Sequence, residues 1–158
     1  MQKQTIEARL GKLGLTLPVV PAPVAEFVPA KLVGNMVYVS GQGPISHGRP
    51  THVGRVGGTV SQQEAYDAAR TCILNSLAAV KSVVGSLDRV AEIVHLRAFV
   101  NSAPSFHDQP AVANGASELL VALFGDCGKH ARAALGTANL PGDIPVEIEL
   151  IVRVDLSQ

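Results

Sequence analysis

The stretch "HARAALGTANLPGDIPVEIEL", residues 130–150, decides the fold. It reads as two strands, near 130–138 and 145–154, flanking a turn at Leu140 to Gly142. The second strand alternates Val146, Ile148, Leu150, Val152 and Val154 against Glu147, Glu149, Ile151 and Arg153. A period of 2 sends successive side chains to opposite faces of a sheet, so one face is apolar throughout and the other carries charge. The question it raises is why a chain with a net charge of +0 sets Arg132 and two carboxylates on such strands.

Working outward, "AEIVHLRAFVNS" is enriched in β-branched and aromatic residues and predicts a core strand over 92–100. In "FVPAKLVGNMVYVSGQGPI" two apolar runs flank the turn dipeptide Gly34-Asn35, predicting a hairpin with strands at 25–33 and 36–41. Ser61 followed by Glu64 is a capping box, and Tyr66, Ala69, Ile73, Leu77, Val80 and Val84 continue at helical spacing until Gly85. A second helix is expected from Asp108 to Phe124, with Val112, Ala116, Leu119, Leu120 and Leu123 on one face and Gly125 as its stop. Residues 46–60 are rich in glycine and polar residues without a period, and are expected as an exposed loop with room for a small edge strand.

At the start, Ile6, Leu10 and Leu13 predict a short helix, and Pro18, Pro21 and Pro23 an extended linker. We therefore expect an N-terminal arm over 1–24 and a single domain over 25–158. The order of elements implies an α+β fold, a mixed sheet with two helices on one face. The other face then needs a cover, and a neighbouring subunit is the economical one.

With 158 residues the chain can bury about 68 to 70% of its unfolded surface and needs no staples. Charged residues are only 16% and aromatic residues 4%, which argues against a nucleic-acid groove or an anionic membrane surface as partner. Small molecules and copies of itself are the expected partners. Cys72 and Cys127 suggest neither a disulfide framework nor a zinc site, and no signal-peptide pattern opens the chain, so the expected location is cytoplasmic. No apolar run is long enough to suggest a membrane span. The five histidines His47, His52, His95, His107 and His130 fall in no ligand spacing, and no metal is expected.

Arg132 lies among small apolar neighbours that cannot solvate it. It must pair with Glu147 or Glu149, or bind the carboxylate of a ligand. The two glutamates share one face of the last strand. That face is either solvated, or it faces a subunit and holds one glutamate in a low-dielectric cleft where it could activate a water. "VSGQGP", residues 39–44, ends a strand with Ser40 and two glycines; it is a simple turn or a place where backbone N–H groups approach a ligand.

"GNMVYVSGQGP" and "ARAALGTANLPGDIPVEIEL" resemble the reactive intermediate deaminase family, RidA/YjgF or endoribonuclease L-PSP-like, over residues 25–154. "NGASELLVALFGDCGKHARAALG" is similar to a branch with a longer N-terminal arm. The resemblance implies a chorismate-mutase-like fold, a homotrimer with ligand clefts between subunits, and hydrolysis of 2-imino acids to 2-oxo acids and ammonia without a cofactor. It assigns carboxylate binding to Arg132 and water activation to Glu147, and adds Ser40, Gly41 and Asn114 to the cleft. The family's cleft tyrosine falls on Phe27, and its small polar or thiol residue two after the arginine falls on Ala134. Those departures keep open a non-catalytic trimeric binder of small carboxylates. The ribonuclease activity behind one family name is the third and least favoured expectation.

Overall fold

The computed structural model describes residues 4–157. Five strands form one mixed sheet: β1 (Ala30–Val33), β2 (Met36–Gln42), β5 (Val90–Asn101), β6 (Ala131–Thr137) and β7 (Val146–Val154), in the order β1-β2-β7-β5-β6. All neighbours are antiparallel except β5 and β6, which run parallel and are joined by helix α3 (Gln109–Phe124). A parallel pair needs such a crossover, and this one makes β6 an edge of the sheet.

Helix α2 (Gln62–Val84) and α3 lie on one face, as the apolar alternation requires. The capping box forms in both directions: Glu64 N–H donates to Ser61 Oγ at 3.1 Å, and Ser61 N–H to Glu64 Oε2 at 2.7 Å. Gly85, at φ 85°, stops α2 in a conformation other residues rarely adopt. Against the helices stand Val37 and Val39 of β2, Leu96, Ala98 and Val100 of β5, and Val146, Ile148, Leu150 and Val152 of β7, all buried. Each valine, leucine or isoleucine among them contributes about 1.5–3 kcal/mol when fully buried. Surface ion pairs, worth about 0–1 kcal/mol, cannot compete with that layer in setting the fold.

The open face carries Tyr38, His95, Arg97, Phe99, Leu135, Glu147, Glu149, Ile151 and Arg153, by the strand register. Its charges are partly paired across strands, Arg97 with Glu149 at 3.0 Å and Arg153 with Glu92 at 3.1 Å. Tyr38 and Leu135 remain about half exposed.

The N-terminal helix α1 (Ile6–Lys12) is capped by Thr5 and inserts Ile6 and Leu10 into the core. Arg9 Nη1 donates to the Leu123 carbonyl at 2.6 Å, Ile6 N–H to Asp88 Oδ1 at 2.8 Å, and Lys81 pairs with Glu7 at 3.0 Å.

Two expectations need correction. The first hairpin strand begins at Ala30, not at 25, and Pro29, just before it, has no N–H to donate to a ladder. Residues 46–60 are not an exposed loop throughout. A small hairpin of β3 (Ile45–Ser46) and β4 (Arg49–Pro50) is present, but Val56 and Val60 are buried. Val56 N–H donates to the Asn101 carbonyl at 2.8 Å, and the Ala103 N–H donates to Val56 O at 2.9 Å. Two buried valines among glycines are too sparse to show a period, yet Val56 pegs the loop to the end of β5 and Val60 bridges to Val56.

Candidate functional site

Arg132 and Ala134 pair with Leu96 and Ala98 in the parallel ladder and so share their face, the helix-covered one. Arg132 sits at the sheet edge, where α3 passes close by. Its Nη1 donates to Asn114 Oδ1 at 2.8 Å and to Ser117 Oγ at 3.2 Å. Asn114 and Ser117 are three apart on α3 and therefore neighbours on its surface. The ion pair with Glu147 or Glu149 that the sequence left open is not made within the chain. Both anchors are neutral, so neither cancels the charge of the guanidinium.

Ser117 also lies 2.9 Å from His130 Nε2, and His130 Nδ1 lies 2.7 Å from the Gly128 carbonyl. Burial pushes the His130 pKa below its ordinary value, against the opposing pull of the Gly128 carbonyl and with help from the nearby charges of Arg132 and His95. Sequence reasoning passed over Ser117 and His130. The available signal was positional: Ser117 three after Asn114 on a helix, and His130 two before Arg132 along a strand.

Glu147 lies on the opposite, open face, opposite Phe99 of β5. It has no hydrogen bond or ion pair among the described residues. Half-burial raises its pKa above the ordinary 4.5, and the charge of Glu149 raises it further. Glu149, two residues on, is held by Arg97. Equal by periodicity, the two carboxylates differ in structure: among the described residues Glu149 is paired and Glu147 is not.

Gly41 makes the room for Glu147. The β2 strand bulges between Val39 and Gln42, with Ser40 and Gly41 facing a single position of β7. A Cβ on Gly41 would lie 2.9 Å from Glu147 Cδ and 3.1 Å from its Oε2. Ser40 donates through Oγ to the Val28 carbonyl at 2.7 Å, tying residue 28 to the bulge. Ser40 and Phe27 then line an open groove of about 840 Å³ together with Lys31 and Tyr38. Phe27 is 54% exposed there, and Tyr38, unforeseen from sequence, brings a phenol to the same groove.

The start of β7 is fixed from below. Asn101 Nδ2 donates to Asp143 Oδ1 and to the Ile144 carbonyl, each at 3.1 Å, locking the turn that feeds Val146 and Glu147. Cys72 is fully buried, its Sγ donating to the Val146 carbonyl at 3.6 Å; burial pushes its thiol pKa well up, so it is a core filler rather than a nucleophile. Among the described residues no cluster of three His, Cys, Asp or Glu side chains could hold a metal, and no helix is long and apolar enough to cross a membrane.

Thus the structure gathers Arg132 with Asn114, places Ala134 on the same face, and gathers Glu147 with Gly41 and, beside it, Ser40. It does not join the two groups. The strand β5 lies between β6 and β7, and the two charged side chains point to opposite faces.

The topology is that of an α+β protein with two helices on one face of a five-stranded mixed sheet. The chain belongs to the RidA/YjgF family: residues 7–150 match the family described as "YjgF/chorismate mutase-like, putative endoribonuclease". It is similar to Protein TCP17 of Trypanosoma cruzi, 39% identical over 151 residues, which are 95% of this chain and 94% of that one. It is also similar to the 2-iminobutanoate/2-iminopropanoate deaminase of Dermatophagoides farinae, 28% identical over 146 residues, 89% and 95% of the two chains. The crystal structure of Atu1372 from Agrobacterium tumefaciens superposes with a TM-score of 0.90 at 44% identity, covering 95% and 92%.

Proposed function

We propose that the protein hydrolyses small reactive 2-imino or enamine acids to 2-oxo acids and ammonia, in clefts between the subunits of a homotrimer. The observation that carries this reading is the separation of two unspent charges. Among the described residues Arg132 is held by neutral groups alone, and Glu147 has no hydrogen bond or ion pair. Each is half of a site, and a neighbouring subunit covering the open face would bring the other half.

In this reading Arg132 binds the substrate carboxylate as a fork, and the bulge at Ser40 and Gly41 lets the substrate approach Glu147 closely. Glu147 accepts a proton from water as the oxygen attacks the imine carbon. It gives that proton to nitrogen, forming a carbinolamine; it then moves the hydroxyl proton to nitrogen as well, and the C–N bond breaks to release ammonia and leave the 2-oxo acid. The raised pKa of Glu147 suits a group that must both take and give a proton near neutrality. Residues 25–158 form the site-bearing domain, and residues 1–24 an arm. The similarity to a deaminase over 89% of the chain supports the reaction type.

The test couples a dehydratase that releases 2-imino acid to the purified protein and follows 2-oxo acid formation. Wild type should accelerate it, while Arg132→Ala should lose about 10²-fold or more in kcat/KM, the range for losing substrate positioning. Equal rates for the two would overturn the proposal. Phe27 and Ala134 favour a second reading, a trimeric carboxylate binder without turnover, because neither supplies a polar group. Calorimetric binding of 2-oxo acids by a protein with no deaminase activity would select it.

A further inference from the structure

We infer that Ser117 and His130 are positioning residues for Arg132, fixing which edge of its guanidinium a carboxylate ligand can use. The inference rests on the reading of Arg132 as the carboxylate-binding group.

The argument starts at the far end of the chain of contacts. A backbone carbonyl only accepts, so His130 Nδ1, 2.7 Å from Gly128 O, must carry the ring proton. In the neutral ring Nε2 is then an acceptor, and the Ser117 hydroxyl 2.9 Å away must donate to it. With its proton committed, Ser117 Oγ can only present lone pairs to Arg132 Nη1 at 3.2 Å. Asn114 Oδ1 takes the other hydrogen of the same nitrogen at 2.8 Å.

Nη1 has two hydrogens, and both are now spent. Nε and Nη2 have no hydrogen bond among the described residues. A carboxylate can therefore take two parallel bonds only along the Nε–Nη2 edge, and the approach through Nη1 is closed. His130 contributes without touching the ligand: it sets the direction of one hydroxyl proton. Because none of the three anchors is anionic, the guanidinium is oriented without being neutralised.

The experiment compares the full-length wild type with Ser117→Ala, Ser117→Thr, His130→Leu and His130→Gln in the dehydratase-coupled assay. Calorimetry with 2-oxobutanoate and thermal melts accompany it. Loss of one hydrogen bond predicts that Ser117→Ala and His130→Leu raise KM and the 2-oxobutanoate Kd by about 3- to 10-fold, with kcat within about 2-fold. Ser117→Thr keeps the hydroxyl and His130→Gln keeps an acceptor at the end of the side chain, and both should restore KM. A purely structural role would lower Tm in all four and leave KM alone, which overturns the inference. Should Ser117→Ala fail to fold, the two His130 variants carry the same comparison. Active wild type with unchanged KM in the variants sinks the positioning role and leaves the deaminase reading intact. Wild type that neither turns over nor binds 2-oxobutanoate sinks both.

Discussion

The two faces of the sheet treat charge in opposite ways. On the helix side, Arg132 is surrounded by neutral acceptors that fix its position and leave its charge intact. On the open side, Glu147 is given space by Gly41 and, among the described residues, no donor, so its charge is penalised rather than held. The proposed roles suit these places: a cation that binds a ligand needs a rigid one, and a carboxylate that transfers a proton needs an uncomfortable one. Arg97 and Glu149, on the same open face, show the ordinary alternative: an exposed pair at 3.0 Å with nothing left over.

Gly115→Ala should break the contrast most severely. It lies between Asn114 and Ser117, and a Cβ there would collide with the Tyr66 carbonyl of α2. Backbone cannot give way as a side-chain tip can, so the helices must separate, at roughly 1–3 kcal/mol and more if α2 resists. Thermal denaturation should show Tm lower by about 2–12 °C, and carboxylate affinity should fall because α3 carries the Arg132 anchors. An unchanged Tm would mean that the helix contact is looser than described.

Gly41→Ala acts on the other face and should do the reverse. The new methyl meets the movable end of Glu147, so stability should change by less than about 1 kcal/mol. Turnover should fall with the displaced carboxylate, in kcat more than in KM. Wild-type kcat in a folded variant would remove Glu147 placement from the mechanism.

The smallest effect sharpens the comparison through pH. Below the ordinary 4.5 the Glu147 carboxyl is neutral folded and unfolded alike, and its burial is not opposed by charge. As pH rises through the raised folded value, the native state must hold a half-buried carboxylate, and that contribution to stability is lost. Glu147→Gln should therefore have a higher Tm than wild type at pH 7, and the gain should vanish near pH 4. A lower Tm at pH 7 would show that the carboxylate stabilises the fold after all.

Much of this architecture is legible in the residues. The β7 alternation, the Ser61 and Glu64 cap and the Gly85 stop each express one local rule, and the structure follows them. Local rules fail where a contact is made at long range. Val56 and Val60 have no periodic neighbours; Val56 is bonded to Asn101 at the end of β5, and Val60 bridges to Val56. Glu147 and Glu149 share a period and differ only in what β2 and β5 set beside them. Family resemblance separated those two before the structure did, but it was silent on Ser117 and His130, whose role depends on where α3 docks.

The crossover from β5 through α3 to β6 also bears on how the molecule comes together. Asn114 and Arg132 are 18 residues apart, whereas Gly41 and Glu147 are joined only when β2 meets β7 across most of the chain. Closing the longer loop costs roughly 1.5 kcal/mol more in chain entropy. The cation's cradle is a local product of one contiguous segment, and the carboxylate's pocket depends on a contact of far greater sequence separation.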